Sequence, residues 1–222
     1  MSQAGAWWDQ FAGEADGVKE LETWLGGTDD WSRVRVRERA AECEYETILD
    51  CGAGLGLDWY GFGNLSHEHT WQGIEPSSGM RNAARRIAVS YGRDEPPPIA
   101  AGDIHAIPFE DASVELVYCR HVLEHLPSFE QALNEMMRVA KLEVMVVFFM
   151  RPGKEAYLRR ERDGLWQNRY ARLDVEDLLA QNPRALVWFW ESLHGQECLL
   201  HVMMADSAQV ETERVVGRLR RD

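Results

Sequence analysis

Apolar positions along the chain change period several times, and each change marks a candidate element. Asp30 can cap a helix from Trp31 to Cys43 in which Val34 and Ala41, and Val36 and Ala40, recur at near-helical spacing; the first 45 residues read as helical. Thr47 to Cys51 reads as a short strand running into a glycine-rich turn. Beyond Gly56, Gly61 and Gly63 break the periodicity, so the first helix after this turn is expected to be short or irregular. Thr70 to Ile74 reads as a second strand, followed by a helix starting near Ser77 with Met80, Ala84, Ile87, Ala88 and Tyr91 on one stripe. Pro98 to Ala101 and Val114 to Cys119 are the next strands. A helix is expected from Ser128 to Val139, with Pro127 at its start and Phe129, Ala132, Leu133, Met136 and Met137 at helical spacing. The unbroken apolar run Val144 to Met150 is too short and β-branched for a helix and reads as a fully buried central strand. Ala185 to Glu191 and Cys198 to Met204 are two further strands whose short connection predicts an antiparallel hairpin. Strands alternating with helices predict a parallel sheet with right-handed crossovers and an antiparallel edge, in one α/β domain.

Composition narrows the classes. A chain of 222 residues with 45% hydrophobic and 27% charged residues has the material for one folded core. The run Val144 to Met150 falls far short of the ~20 residues needed to span a bilayer. No basic, apolar, small-residue signal pattern opens the sequence. The cysteines Cys43, Cys51, Cys119 and Cys198 form no C-x-x-C pair, which argues against a disulfide scaffold or four-cysteine zinc site and for a reducing, cytoplasmic setting. A formal charge of -13 argues against non-specific gripping of phosphate backbones.

The chemistry concentrates in Ile48-Leu49-Asp50-Cys51-Gly52-Ala53-Gly54-Leu55-Gly56, a buried strand entering a turn with three alternate glycines and an acid before it. Glycine permits close backbone approach to a ligand, and in an open α/β sheet ligands sit beyond the carboxyl ends of the strands. A phosphate-binding Walker loop is excluded, because the only Gly-Lys, Gly153-Lys154, precedes Glu155. A dinucleotide fingerprint would need glycine at Leu57. None of the three lysines, Lys19, Lys141 and Lys154, has a tyrosine four residues before it, which removes the short-chain dehydrogenase pair. Glu75, in Gly73-Ile74-Glu75-Pro76, follows Gly56 at a distance where a carboxylate can accept both hydroxyls of an adenosine ribose. Asp103, in Ala101-Gly102-Asp103-Ile104, can accept the exocyclic amine of adenine, with Ile104 and Met80 sandwiching the ring.

In this order, the motifs resemble class I S-adenosylmethionine-dependent methyltransferases, particularly the small-molecule group typified by ubiquinone and menaquinone biosynthesis enzymes. The resemblance covers roughly residues 47 to 153, and Ile107-Pro108-Phe109-Glu110-Asp111 and the segment Leu116 to Leu126 add to it. It implies a Rossmann-like, seven-stranded, mostly parallel sheet with an antiparallel C-terminal hairpin and helices on both faces. It also implies a single domain over 1–222, with a helical cap at 1–45, a cofactor-binding core at 46–153, and the substrate-side connection, hairpin and tail at 154–222. S-adenosyl-L-methionine would be the cofactor and S-adenosyl-L-homocysteine the product. Asp50, Cys51, Gly52, Ala53 and Gly54 would line the methionine portion. Glu75 and Pro76 would hold the ribose; Met80, Asp103 and Ile104 the adenine; and the Cys119 backbone the amino group.

His121, Glu124 and His125 share a face of a helical turn after the fourth strand. His121 is the candidate catalytic base, and the three together a minor candidate metal site resembling the Glu-x-x-Glu-His set of some metal-dependent relatives, against the plainer reading in which Glu124 and His125 cap and pack a helix start. Trp8 can close over the cofactor, and Trp166, Tyr170 and Arg151 are candidate substrate contacts. His201 is expected to be packed in a strand, and His67, His69, His105 and His194 to lie in loops. Cys51 and Cys119 have no adjacent activating base and read as packing residues, and Trp188 and Trp190 share a strand face and read as core. Residues after the fourth strand are Cys119-Arg120-His121-Val122, without the Pro-Pro-aromatic of nucleobase methyltransferases, so a small-molecule acceptor is expected over nucleic acid or membrane. The alternative is a catalytically silent cofactor-binding or protein-interaction module on the same fold.

Overall fold

The computed structural model describes residues 8–10, 12, 23, 27–151, 155–159, 164–192 and 197–205, the side chains of Arg151 and Ser192 excepted. Its elements are α1 (Trp31–Cys43), β1 (Thr47–Cys51), α2 (Leu57–Phe62), β2 (Thr70–Ile74), α3 (Ser78–Ala88), β3 (Ile99–Ala100), β4 (Val114–Arg120), α4 (Glu130–Val139), β5 (Ala140–Arg151), β6 (Tyr170–Ala171), α5 (Arg172–Gln181), β7 (Ala185–Ser192) and β8 (Glu197–Met204). The strands form one sheet in the order β3-β2-β1-β4-β5-β8-β7, with the two-residue β6 pairing β5 off this path. The pairings from β3 through β5 are parallel, and those of β8 with β5 and β7 are antiparallel. Both the mostly parallel sheet and the closing hairpin agree with the expected fold.

Alternate side chains of each strand go to opposite faces, and helices cover both. Leu49, Val117, Val144, Val146 and Phe148 pack with Leu133, Met136 and Met137 of α4 and Val175 and Leu179 of α5. Ile48, Leu116, Tyr118, Met145 and Val147 pack on the other face with Val36 and Ala40 of α1. Met80, Ala83 and Ile87 of α3 join Leu55, Leu57 and Tyr60 beside the glycine turn, and Trp8 packs against them. Trp188 and Trp190 are half-buried against the α5 side, where the Trp190 indole donates to Glu176 at 2.9 Å.

The boundaries differ where polar residues are buried. Asp30 caps α1 as expected, accepting from Ser32 N, but the buried positions of α1 are Ser32, Arg33, Val36 and Ala40, while Ala41 is exposed. The Arg33 guanidinium pairs with Asp58 of α2, which is why that face carries charge instead of an apolar stripe. The short helix after Gly56 is α2, six residues long. Helix α4 starts at Glu130 with Phe129 as its cap residue, leaving Ser128 outside. Strand β5 begins at Ala140, because Glu143 continues the ladder although it is charged and fully buried.

Glu143 is accommodated by donors from three elements: Arg39 Nε of α1 at 2.8 Å, the Tyr45 hydroxyl at 2.5 Å and His201 Nδ1 of β8 at 2.9 Å. Burial favours its neutral form, but His201, Arg39 and Tyr45 outweigh burial and hold the carboxyl below its usual range. Its partner His201 shifts the opposite way: burial disfavours the imidazolium, and Glu143 and Glu191 more than compensate. This network stitches α1 to the antiparallel hairpin. Breaking it on one side leaves charge buried without compensation, so Glu143→Ala should cost about 3–5 kcal/mol of stability in urea unfolding monitored by circular dichroism.

Candidate functional site

The glycine turn, the start of α3 and the turn after β4 meet at the carboxyl ends of the parallel strands. The Gly52 and Ala53 amides both donate to Ile74 O, at 2.8 and 3.0 Å, so the turn is tied to the end of β2. Gly52 lies at φ +83°, and a Cβ there would collide with Val122. Gly54, at φ +55°, faces Met80: its Cβ would sit 3.3 Å from Met80 Cε. Positive φ favours glycine at both positions, and at Gly52 the space requires it as well.

Glu75 is buried beside this turn. Its Oε2 accepts from Gly54 N at 3.1 Å, and its Oε1 from Ser77 N at 2.8 Å. Burial raises its pKa against the opposing pull of these two amides. A carboxylate oxygen has more than one acceptor position, so each can take a further donor. Ser77 caps α3 through Met80 N at 3.0 Å. Asp9 of the N-terminal segment reaches the same helix end, accepting from Gly79 N and Ser77 Oγ, each at 2.7 Å. The Gly79 amide lowers the Asp9 pKa, consistent with an anion at a helix N-terminus. Trp8 is thereby held over the site, its ring edge-on to His125 at 5.5 Å between centroids.

The three strand-tip acids have different environments. Asp50 is buried, with Oδ2 accepting from the Tyr118 hydroxyl at 2.8 Å, and Tyr118 in turn accepts from Trp71 Nε1 at 2.9 Å. Burial, then the nearby Asp58 charge, pushes the Asp50 pKa well up. Its carboxyl is directed into this network beneath the turn, among Arg33, Asp58 and Arg120. Asp103 is exposed and accepts from His105 N at 2.9 Å and His105 Nδ1 at 2.8 Å; burial opposes the His105 contacts, which prevail and lower its pKa. Ile104 and Met80 are buried, and Pro76 is exposed. Cys51 and Cys119 are buried thiols whose pKa values burial pushes well up, as packing residues should be. His67, His69 and His105 occupy loops; His194 lies outside the described residues.

The structure places His121, the candidate general base, between two acidic side chains. Its backbone adopts φ +53°, and its ring is held between two carboxylates: Nδ1 is 2.8 Å from Glu124 Oε1 and Nε2 is 2.6 Å from Glu197 Oε1 of β8. Burial disfavours the imidazolium, but the bonds to Glu124 and Glu197 prevail and raise its pKa to about 9. At neutral pH both nitrogens are protonated and committed. Of the minor metal set, His125 Nδ1 turns to Trp166 O at 2.9 Å, while His121 and Glu124 pair with each other. Among the described residues, no group of three His, Cys, Asp or Glu is arranged to hold a metal.

Of the substrate candidates, Tyr170 is buried in the core. Its hydroxyl is within 3.1 Å of Leu123 O and 3.0 Å of Leu126 O, and burial raises its pKa to about 12. It holds the turn after β4 in place and presents no free group to an acceptor. Trp166 is half-buried and contributes its carbonyl to His125. The Arg151 side chain lies outside the described residues. Asp9, Val122 and Glu197 are additions that periodicity does not flag. Only Asp9 had a local signal, as the acid next to the singled-out Trp8.

Comparison with known proteins supplies an independent line. A family described as "Methyltransferase domain" matches residues 49–148. The chain is 31% identical over 101 residues to a malonyl-[acyl-carrier protein] O-methyltransferase of Halorhodospira halophila, covering 46% of this chain and 33% of that protein. It is 30% identical over 104 residues to the uncharacterized methyltransferase YcgJ of Bacillus subtilis, covering 46% and 40%. The chain thus spans less than half the length of these curated relatives. Among solved structures, the magnesium protoporphyrin IX methyltransferase of Synechocystis with bound S-adenosylmethionine superposes with a TM-score of 0.59 at 14% identity, covering 91% of this chain and 97% of that one. These matches support the family and not the quinone-biosynthesis subgroup within it.

The His121 clamp makes stability depend on pH. A histidine whose folded pKa is about 9 stabilises the fold fully below its unfolded value near 6.5, and that contribution disappears as pH rises through 9. The melting-temperature difference between wild type and His121→Asn should therefore be largest at about pH 6 and shrink toward about pH 10.

Proposed function

We propose that the protein transfers a methyl group from S-adenosylmethionine to a small-molecule acceptor, a reading supported by the match of residues 49–148 to the family described as "Methyltransferase domain". The observation that carries this reading is the Glu75 carboxylate, fixed by Gly54 N and Ser77 N beside a turn whose Gly52 and Gly54 lie at positive φ. It is a pre-set oxygen acceptor of the kind that suits the hydroxyls of a ribose. The residues present fit the cofactor: glycines where a nucleoside must approach the backbone, Glu75 for the ribose, an exposed Asp103 for the adenine amine, and Met80 with Ile104 as apolar walls. The methionine end falls to Cys51, Gly52, Ala53 and the Cys119 backbone, with Asp50 acting from below through the Tyr118 network.

When bound, S-adenosylmethionine supplies an electrophilic methyl group on a sulfonium, open to in-line attack. The chain's part is alignment and exclusion of water, and ideal alignment contributes about 7–11 kcal/mol in intramolecular systems. Trp8, pinned by Asp9 to the start of α3, covers the site from the N-terminal side and offers an aromatic face to a cation. The bonds to Glu124 and Glu197 raise the His121 pKa to about 9, which favours a positive charge beside the site over a base.

The net charge of -13 and the many arginines already bonded to carboxylates and carbonyls support a small molecule over nucleic acid. Four cysteines, none of them in a disulfide, support a reducing, cytoplasmic setting. Among the described residues no helix is long and apolar enough to cross a membrane.

Calorimetry with S-adenosylmethionine, followed by transfer of labelled methyl groups to a metabolite panel, tests the reading; folded protein that binds none of the cofactor removes it. Glu75→Gln should lower cofactor affinity by about tenfold or more while the protein stays folded. Glu75→Ala should in addition cost about 1–3 kcal/mol in urea unfolding, because it orphans two buried amides.

A further inference from the structure

Glu124 occupies the short 3-10 turn Leu123–His125 directly after β4 and is almost wholly buried. The turn abuts the candidate cofactor site, since Val122 fills the space a Cβ on Gly52 would need. Glu124 Oε1 faces His121 Nδ1, while Oε2 has no hydrogen-bond partner among the described residues. Burial opposes ionisation of Glu124, but His121 prevails and lowers its pKa, so this orphan oxygen carries charge. Leaving such a group unmatched is costly, and native structures fill the position with water or a ligand.

The neighbouring cationic side chains are engaged elsewhere. His121 is held at its other nitrogen by Glu197 and cannot turn toward Oε2. The His125 ring is bonded to Trp166 O. Arg120 is engaged by Asp30 at 3.3 Å and Ser32 at 3.1 Å, and Arg169 lies over the Phe149 ring at 5.9 Å. Two carboxylates around one imidazolium leave an excess of negative charge at the clamp, and charge-assisted bonds are the strong ones in a dry environment.

We propose that Glu124 Oε2 receives an ammonium or other cationic N–H group of the methyl acceptor, with His121, clamped by Glu197, as the positioning residue that aims the carboxylate. This rests on the methyltransferase reading and narrows it to amine-bearing acceptors. Water cannot neutralise the orphan charge as a cation does, and an anionic acceptor would be repelled at the same point.

The test compares benzylammonium with benzyl alcohol, titrated calorimetrically into protein saturated with S-adenosylhomocysteine. Wild type should bind the ammonium at least about tenfold tighter, Glu124→Gln should abolish the preference, and Glu197→Gln should keep it. Equal binding of the two probes, binding of neither, a preference that survives Glu124→Gln, or one lost equally in Glu197→Gln overturns the proposal. If Glu124→Gln does not fold, His121→Asn replaces it: without the imidazolium the buried carboxylate is neither aimed nor held ionised, so the preference should fall, and a preference unchanged in His121→Asn overturns the assignment. Failure to bind S-adenosylhomocysteine at the outset counts against the methyltransferase reading, and the probe comparison on the unsaturated protein then still decides the role of Glu124.

Discussion

Glu75 is buried with both carboxylate oxygens held by backbone amides, Oε2 by Gly54 and Oε1 by Ser77, and this double anchor fixes the separation of the glycine turn from the start of α3. A buried carboxylate must be surrounded by donors, and here the donors are the orphan amides of a glycine-rich turn and of a helix N-terminus. The remaining geometry follows from that demand. The turn closes back on Ile74, Ser77 caps α3, and Asp9 adds a second carboxylate to the same helix end, drawing Trp8 over the site. A strand tip, a turn, a helix and the N-terminal segment are thus placed relative to one another around two acidic side chains.

Much of the sheet was legible because its strands are short apolar runs ended by glycine or an acid. β1 and β2 fall where the pattern puts them. The start of β5 was hidden by Lys141 and Glu143, since a buried charge reads as a surface position unless its partners, Arg39 and His201, are known to be near. Helix α5 was missed because Ala171 provides no capping side chain and only Val175 and Leu179 are buried along it. In the site, the glycine turn and Glu75 were legible through local spacing. The His121 clamp was not, because Glu197 lies 76 residues downstream and arrives through sheet pairing. A local H-x-x-E-H string suggested acid–base or metal chemistry, and the distant carboxylate turned it into a fixed ion cluster.

The chain carries 21 arginines against three lysines, and the structure gives a reason for that skew. Arg35 meets Glu191 with two parallel bonds of 2.9 Å, linking α1 to β7. Arg184 donates to the carbonyls of Met137, Arg138 and Ala140, closing the end of α4 where it passes directly into β5. Arg138 ties the carbonyls of Ile107 and Phe109 beside Glu135 and Asp111. A planar guanidinium can serve several acceptors at once, which a lysine ammonium on a flexible stem does less well.

The sewing of α1 to the hairpin through Glu143 bears on how the chain matures during synthesis. Strand β5 emerges from the ribosome some fifty residues ahead of β8, which supplies both its antiparallel neighbour and the His201 that faces Glu143. Until then the apolar stretch Val144–Met150 presents an open edge, the kind of surface on which nascent chains associate wrongly. The charge of Glu143 sits beside that stretch from the start, and burying it requires His201 as well as Arg39 and Tyr45. The same carboxylate that locks the finished sheet therefore discourages its premature pairing, and makes β8, the last of the described strands, the one that satisfies it.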